Sequence, residues 1–192
     1  MDLKDYIRSI KDYPKKGILF RDITTLIKNE TAFEESINQI VERSKKFKID
    51  KIAAIESRGF VFASAVSYIL KKPFIMLRKK NKLPADVHSV DFQLEYGTAT
   101  IEVHKDSISE NDSVLIIDDL IATGGTAEAA AKLIEISKGK VAAFIFVINL
   151  FDLGGCENLV KNGYKVENLM DFPGHSFGSG QWDRPTDLGL VS

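Results

Sequence analysis

A single cysteine in 192 residues rules out an intrachain disulfide framework. Cys156, His88, His104 and His175 show no metal-ligand spacing, so we expect each to be structural or at the surface and no dedicated metal site to exist. Long apolar runs are also missing. The longest, residues 141–148, has the length of a strand and falls far short of the about 20 residues that span a bilayer, so no membrane partner is expected. Nor does charge of one sign dominate. Lys and Arg number 26 against 27 Asp and Glu, a net charge of -1, which removes the basic field that nucleic-acid binding needs. The opening residues Met1-Asp2-Leu3-Lys4-Asp5 carry no signal-peptide pattern. With the lone cysteine, that points to the cytoplasm. We find no internal repeat and no linker, so one domain with a substantial core is expected.

The most informative stretch is residues 114–126. Val114-Leu115-Ile116-Ile117 reads as a strand buried on both faces, as in a parallel sheet. Asp118 and Asp119 follow at once, then a short apolar link to Thr123-Gly124-Gly125-Thr126. Successive strand side chains point to opposite faces, so both acids reach one ligand only if the chain leaves the sheet there. Open α/β sheets bind ligands at that carboxyl edge. Residues 126–137 read as a helix with Ala130, Leu133 and Ile134 on one face. A glycine turn at a helix N-terminus offers N–H groups and a favourable dipole to phosphate, and carboxylates accept hydrogen bonds from sugar hydroxyls. A sugar phosphate is therefore the expected ligand. No Lys-Ser or Lys-Thr follows the glycines, and the spacing is not that of a dinucleotide fold.

The rest of the chain alternates strands and helices. We expect a short helix over residues 2–10 and an irregular segment over 13–22, broken by Pro14 and Gly17. Thr31-Ala32-Phe33-Glu34 reads as a capping box opening a helix with Phe33, Ile37, Ile40, Val41 and Phe47 on its apolar face. Strands are expected at 52–55, 74–77, 98–104 and 141–147, and helices at 59–70 and 155–162. Residues 78–97 are charged, hold Pro84 and Gly97, and read as a long loop. Such alternation predicts an α/β fold with a mainly parallel sheet flanked by helices.

Two further stretches gain meaning beside residues 114–126. Glu56-Ser57-Arg58-Gly59-Phe60 is a second strand-to-helix turn with a glycine, and it carries an arginine. Arg78-Lys79-Lys80-Asn81-Lys82 places four cations in five residues. That run is either a solvated loop or a mobile cover over an anionic substrate that excludes water.

The 114–126 pattern resembles the phosphoribosyl-pyrophosphate signature of the type I phosphoribosyltransferases. Residues 17–23, 56–60, 78–84, 94–97, 151–155 and 172–175 narrow the resemblance to the adenine branch of that family over about residues 3–175. It implies a single domain over 1–175, with a small N-terminal hood and a long flexible catalytic loop. The implied reaction is purine salvage, adenine plus 5-phosphoribosyl 1-pyrophosphate giving AMP and pyrophosphate, with Mg²⁺. Carried over, Ala122, Thr123, Gly124, Gly125 and Thr126 bind the 5'-phosphate, and Asp118 and Asp119 bind the ribose hydroxyls. Ser57, Arg58, Arg78, Lys79 and Lys82 take the pyrophosphate. Phe20 stacks on adenine while the backbones of Leu19 and Arg21 read its edge. Glu95 is the general acid/base, Tyr96 closes over the site, and Arg58 shares in catalysis. Mg²⁺ comes with the substrate, held by Asp118 or Asp119 through water. Arg78 reaching a neighbouring subunit implies a homodimer.

Residues 176–192 match nothing in that family. An expression scar, a disordered tail and a genuine extension all fit them. Other readings of the whole chain are a transferase for hypoxanthine or xanthine, a ligand-sensing regulator of transcription, and an RNA-binding protein. Residues 1–30 are too few for a winged helix ahead of the core, and the acid pair argues against a phosphate backbone.

Overall fold

The computed structural model describes residues 1–94 and 97–175. A 3-10 turn at Leu3–Tyr6 leads into β1 (Arg8–Lys11), β2 (Leu19–Asp22) and α1 (Thr24–Ile27). There follow α2 (Glu30–Ser44), β3 (Lys51–Ile55), α3 (Arg58–Leu70), β4 (Phe74–Lys79), β5 (Val87–Leu94) and β6 (Gly97–His104). The chain continues through β7 (Ser113–Ile121), α4 (Gly125–Ile136), β8 (Lys140–Leu150), α5 (Gly155–Lys161) and β9 (Val166–Phe172).

Seven strands form one sheet in the order β5-β6-β4-β3-β7-β8-β9. β4, β3, β7, β8 and β9 run parallel, and the β5–β6 hairpin joins antiparallel at one edge. One core packs α2 and α3 on one face around Ile37, Phe62, Val66, Leu115 and Ile145. The other packs α4 against the opposite face around Ala130, Leu133, Ile116 and Phe144. The near-continuous burial of 114–117 and 143–150 is what two covered faces require. No helix among the described residues is long and apolar enough to cross a membrane.

Several expectations are corrected. Residues 2–10 hold only one 3-10 turn, and Arg8–Lys11 is strand β1, because it pairs with Leu19–Asp22. That pairing also orders the end of the segment expected to be irregular. The α2 cap is Asn29, whose side chain accepts the Ala32 N–H at 2.9 Å, so Thr31 lies inside the helix. Within the expected loop, residues 87–94 form β5, with Val90 and Phe92 packed on the α4 side. β9 escaped the sequence reading altogether; only Met170 of its seven residues is buried. β7 does not end before the acids either. It runs through Asp118 and Asp119 to Ile121, since β8 continues beside it, pairing Asp118 with Phe146 and Ile121 with Asn149.

The small β1–β2 sheet is tied back to the end of β9. The Arg21 guanidinium donates to Ser9 Oγ at 2.5 Å and to the Pro173 carbonyl at 3.1 Å, and lies 4.6 Å from the Phe172 ring centroid. Asp152 accepts the Gly174 N–H at 2.5 Å and sits 3.0 Å from His175 Nδ1. His175 in turn bridges to Ile18.

Two glycines allow the backbone packing behind the 122–126 turn. Gly124 has φ +91°, a conformation side chains oppose. A Cβ on Gly155 would lie 2.4 Å from the Ala122 carbonyl oxygen. The Gly155 N–H donates to that same oxygen at 3.1 Å. Gly155→Ala is expected to cost about 1–3 kcal/mol, the usual penalty of overpacking against backbone. A thermal melt equal to that of the parent protein would contradict this.

Candidate active site

The cleft is built where β3 and β7 end. These parallel neighbours pair Ala54 with Ile117, so the turns that follow them leave the sheet side by side. A cavity of about 400 Å³ is lined by Glu56, Ser57, Arg58, Lys79, Asp118, Asp119 and residues 120–126, with Ile55, Ala127 and Phe146 as apolar neighbours. Leu120, Ile121 and Phe146 were not singled out from sequence, and neither was Glu56. For Glu56 the signal was available, since it begins the turn that carries Arg58.

Strand alternation places Asp118 and Asp119 on opposite faces of β7, yet both reach the cleft at its carboxyl edge. Asp119 is buried, and its Oδ2 accepts from Arg58 Nε at 2.6 Å. Beside Asp119, the Arg58 guanidinium is held more firmly protonated than usual. Only its Nε is used in this bond, and Arg58 itself lines the cleft, which leaves the donors of its terminal amino groups available for other acceptors. The Asp118 carboxyl is enclosed by the start of α3. A Cβ on Gly59 would fall 2.8 Å from Asp118 Oδ1, so a larger residue there would displace the carboxyl. Burial first, and the neighbouring Asp119 charge second, push the Asp118 carboxyl well above the usual carboxylate range.

The 122–126 turn enters α4 with Gly124 as its cap and no side chain bonded to the helix start. Its first-turn N–H groups and the Thr123 and Thr126 hydroxyls form a ready anion site. From the other side the end of β5 approaches: a Cβ on Gly125 would lie 3.6 Å from the Gln93 carbonyl oxygen. Across the cleft, Glu56 Oε1 accepts the Lys79 N–H at 2.7 Å and lies 3.4 Å from Arg78 Nε. The Glu56–Ser57 peptide bond is cis.

The structure thus brings together Ser57, Arg58, Lys79, Asp118, Asp119 and Ala122–Thr126. Arg78 sits behind that lining on Glu56, and Lys82 is exposed on the turn beyond it. Leu19, Phe20 and Arg21 lie outside the lining, on β2. Phe20 meets Tyr13 edge to face at 5.2 Å, and the Asp22 charge beside them still acts on Arg58. Glu95 and Tyr96 fall outside the described residues. Among the described residues no group of three or more His, Cys, Asp or Glu side chains gathers to hold a metal.

Several known proteins are similar to this chain in sequence and fold. The family model described as a phosphoribosyl transferase domain matches residues 22–171. The adenine phosphoribosyltransferase of Pelagibacter ubique is 85% identical over 175 residues, which cover 91% of this chain and all of that protein. The crystal structure of adenine phosphoribosyltransferase from Thermoanaerobacter pseudethanolicus superposes with a TM-score of 0.85 at 45% identity, covering 88% of this chain and 98% of that one. The Saccharomyces cerevisiae enzyme, complexed with an imino-altritol bisphosphate and adenine, gives 0.81 at 33% identity, over 88% and 96% of the two chains.

The enclosed Asp118 carboxyl has a consequence for stability. Its folded value is raised, so its charge opposes folding. That opposition is absent below the ordinary value of 3.8 and grows as pH rises through the folded value. Asp118→Asn should therefore melt above the parent by at least ~2 °C at pH 8, with the gap closing near pH 4. An equal gap at both pH values would show that Asp118 does not carry the effect.

Proposed function

The chain belongs to the phosphoribosyltransferase family, among its adenine phosphoribosyltransferases, and from that membership and the cleft we propose which residues do the work. The enzyme converts adenine and 5-phosphoribosyl 1-pyrophosphate to AMP and pyrophosphate, a purine-salvage reaction. The observation that carries our assignment of residues is the meeting of the 122–126 turn, the acid pair and Arg58 in one cleft.

The 5'-phosphate is assigned to the backbone N–H groups of residues 122–126 and the Thr123 and Thr126 hydroxyls, supported by the uncapped start of α4. The ribose 2'- and 3'-hydroxyls fall to Asp118 and Asp119. Ser57, the terminal amino groups of Arg58, and Lys79, Arg78 and Lys82 take the pyrophosphate, which suits arginine's planar fork. Asp119 orients Arg58 through Nε and keeps its other oxygen for a hydroxyl. Phe20 is assigned to the adenine face and the Leu19 and Arg21 backbones to its edge. The rigid ties of Arg21 to Pro173 and Ser9 support this by holding β2 still. Displacement at the ribose carbon develops oxocarbenium-like charge, so the protein's contribution is positioning and charge stabilisation. Glu95 manages the purine-ring proton, and Tyr96 covers the site with it. The approach of Gln93 to Gly125 supports their assignment, since it brings the end of β5 to the phosphate turn.

Mg²⁺ fits this donor set as an ion that arrives with its substrate. Asp119 already spends one oxygen on Arg58, so phosphate oxygens and water supply most ligands, with Asp118 or Asp119 acting through water. When bound, it neutralises the departing pyrophosphate. A cytoplasmic homodimer completes the proposal. α3 leaves Val61, Tyr68 and Ile69 exposed on one face, Tyr68 by 85%, which supports a partner surface there. Sedimentation of the active enzyme as a monomer would remove the dimer.

The direct test is incubation with Mg²⁺, phosphoribosyl pyrophosphate and each purine base in turn. AMP from adenine and little nucleotide from hypoxanthine or xanthine is expected; no AMP from adenine overturns the assignment. Glu95→Gln should lower kcat about 10²-fold or more with little change in KM, as loss of proton transfer does. An unchanged kcat in a folded variant would remove Glu95 from that role.

A further inference from the structure

Glu102 is a buried acid outside the cleft lining, only 6% exposed, near the end of β6. An ionised carboxylate in such a place is costly unless hydrogen bonds satisfy it. Both of its oxygens are used. Oε1 accepts the Asn81 backbone N–H at 2.7 Å, and Oε2 accepts the Ser89 hydroxyl at 2.9 Å. In the strand register Glu102 stands opposite Arg78 of β4 on one side and Ser89 of β5 on the other. It therefore joins the last residues before the basic turn to the strand that follows it.

Asn81 is the corner of that turn. Its φ is +66°, and the Lys82 N–H closes the turn on the Lys79 carbonyl at 3.3 Å. Lys79, at the start of the turn, lines the cleft beside Ser57 and Arg58. Its own N–H is held by Glu56. The turn is thus pinned at two successive carboxylates, Glu56 before the corner and Glu102 at it. Two residues further along β6, on the same strand face, His104 Nε2 accepts the Ala85 N–H at 3.3 Å and secures the far end of the connection.

We infer that Glu102 is a positioning residue for the pyrophosphate: by holding the Asn81 N–H and the Ser89 hydroxyl together, it fixes the Lys79–Lys82 turn so that Lys79, the one lysine of the turn in the cleft lining, faces the leaving group. This rests on the reading of Lys79 and Lys82 as pyrophosphate ligands. Glu102 itself touches no substrate. Its acceptors are needed rather than its charge in the cleft, so glutamine, which keeps one carbonyl acceptor for Asn81, should restore part of what alanine loses.

The test is steady-state kinetics with each substrate varied. Glu102→Ala should raise KM for phosphoribosyl pyrophosphate about tenfold, the factor expected when a charge-assisted hydrogen bond that orders a binding turn is removed. KM for adenine should stay within about twofold, and Glu102→Gln should fall between alanine and the parent. A purely structural role would lower the active fraction and the melting temperature while leaving both KM values alone, which overturns the inference. Equal rises in both KM values overturn it too. Should Glu102→Ala fail to fold, Glu102→Gln and Ser89→Ala each remove one of the two bonds and carry the same test. Lys79→Met and Lys82→Met separate the two levels. If neither alters KM for phosphoribosyl pyrophosphate, the pyrophosphate reading falls and takes this inference with it. If they raise that KM and the Glu102 variants do not, only the role of Glu102 falls.

Discussion

The contact on which the cleft depends is the ion pair between Arg58 and Asp119. Two adjacent carboxylates at the end of a buried strand cannot both remain charged without compensation. Asp119 receives a guanidinium at 2.6 Å. Asp118 forms no ion pair among the described residues; its Oδ1 accepts only the neutral Asp119 N–H at 2.9 Å, and burial pushes its carboxyl up. The arginine comes from the first residue of α3 and the acid from near the end of β7, so the pair locks the turn after β3 to the turn after β7. Gly59 follows from the same arrangement. Once Arg58 is drawn to Asp119, the next residue of α3 lies on Asp118, where a Cβ would fall 2.8 Å from Oδ1 and push the carboxyl aside. Charge compensation between neighbouring strands thus favours a glycine one residue away from the arginine that supplies it, since a larger residue would displace the Asp118 carboxyl.

Much of this was legible in the sequence because it lies in the parallel centre of the sheet. Residues 52–55, 74–77, 114–117 and 141–147 are apolar on both faces, a signal that needs no partner to interpret. The acid pair, the glycine turn and Arg58 are local to those strand ends and were found with them. The strands that escaped, β1, β2, β5 and β9, lie at edges or outside the main sheet; β1, β5 and β9 are largely exposed or half-exposed, and β2, though mostly buried, is only four residues long and buries Arg21 and Asp22 among them. For β5 the alternation of Val90 and Phe92 with Ser89 and Asp91 was present, but Pro84 and the preceding run of cations read as loop. For β1 and β2 no local pattern decides. Their pairing depends on tertiary contacts such as the Arg21 guanidinium reaching residue 173, which are separated by most of the chain.

The same division separates the chemistry. Recognition of phosphate, ribose and pyrophosphate is assigned to turns that directly follow parallel strands, where backbone N–H groups and strand ends supply rigid geometry. Recognition of the base is assigned to the small β1–β2 sheet, which is anchored by side chains rather than by the main sheet. Arg21, Asp22 and Asp152 do that anchoring. Burial works to raise the carboxyls of Asp22 and Asp152, yet hydrogen bonds from Thr24 and Arg8 to the first, and from Gly174 and His175 to the second, hold both below the usual range. These acids act as fixed acceptors for backbone and side-chain donors, in contrast to Asp118.

Three carboxylates of the cleft and a fourth behind it therefore have distinct physical states. Asp119 is charge-paired, and Asp118 is disfavoured as an anion. Glu56 holds the Lys79 N–H near Arg78, and Glu102 accepts the neutral Asn81 N–H and Ser89 hydroxyl. A buried acid satisfied by an N–H and a hydroxyl contributes little net stability compared with an apolar residue of the same size. What it does provide is a unique register, since a slip of one residue along β6 would turn Glu102 to the other sheet face and leave both donors empty. Edge hairpins with mixed polarity specify their register weakly through hydrophobic pattern alone. In β5 and β6 that specification comes from Glu102 as well as from Val90 and Phe92, and the turn that depends on it is the one whose lysine reaches the cleft.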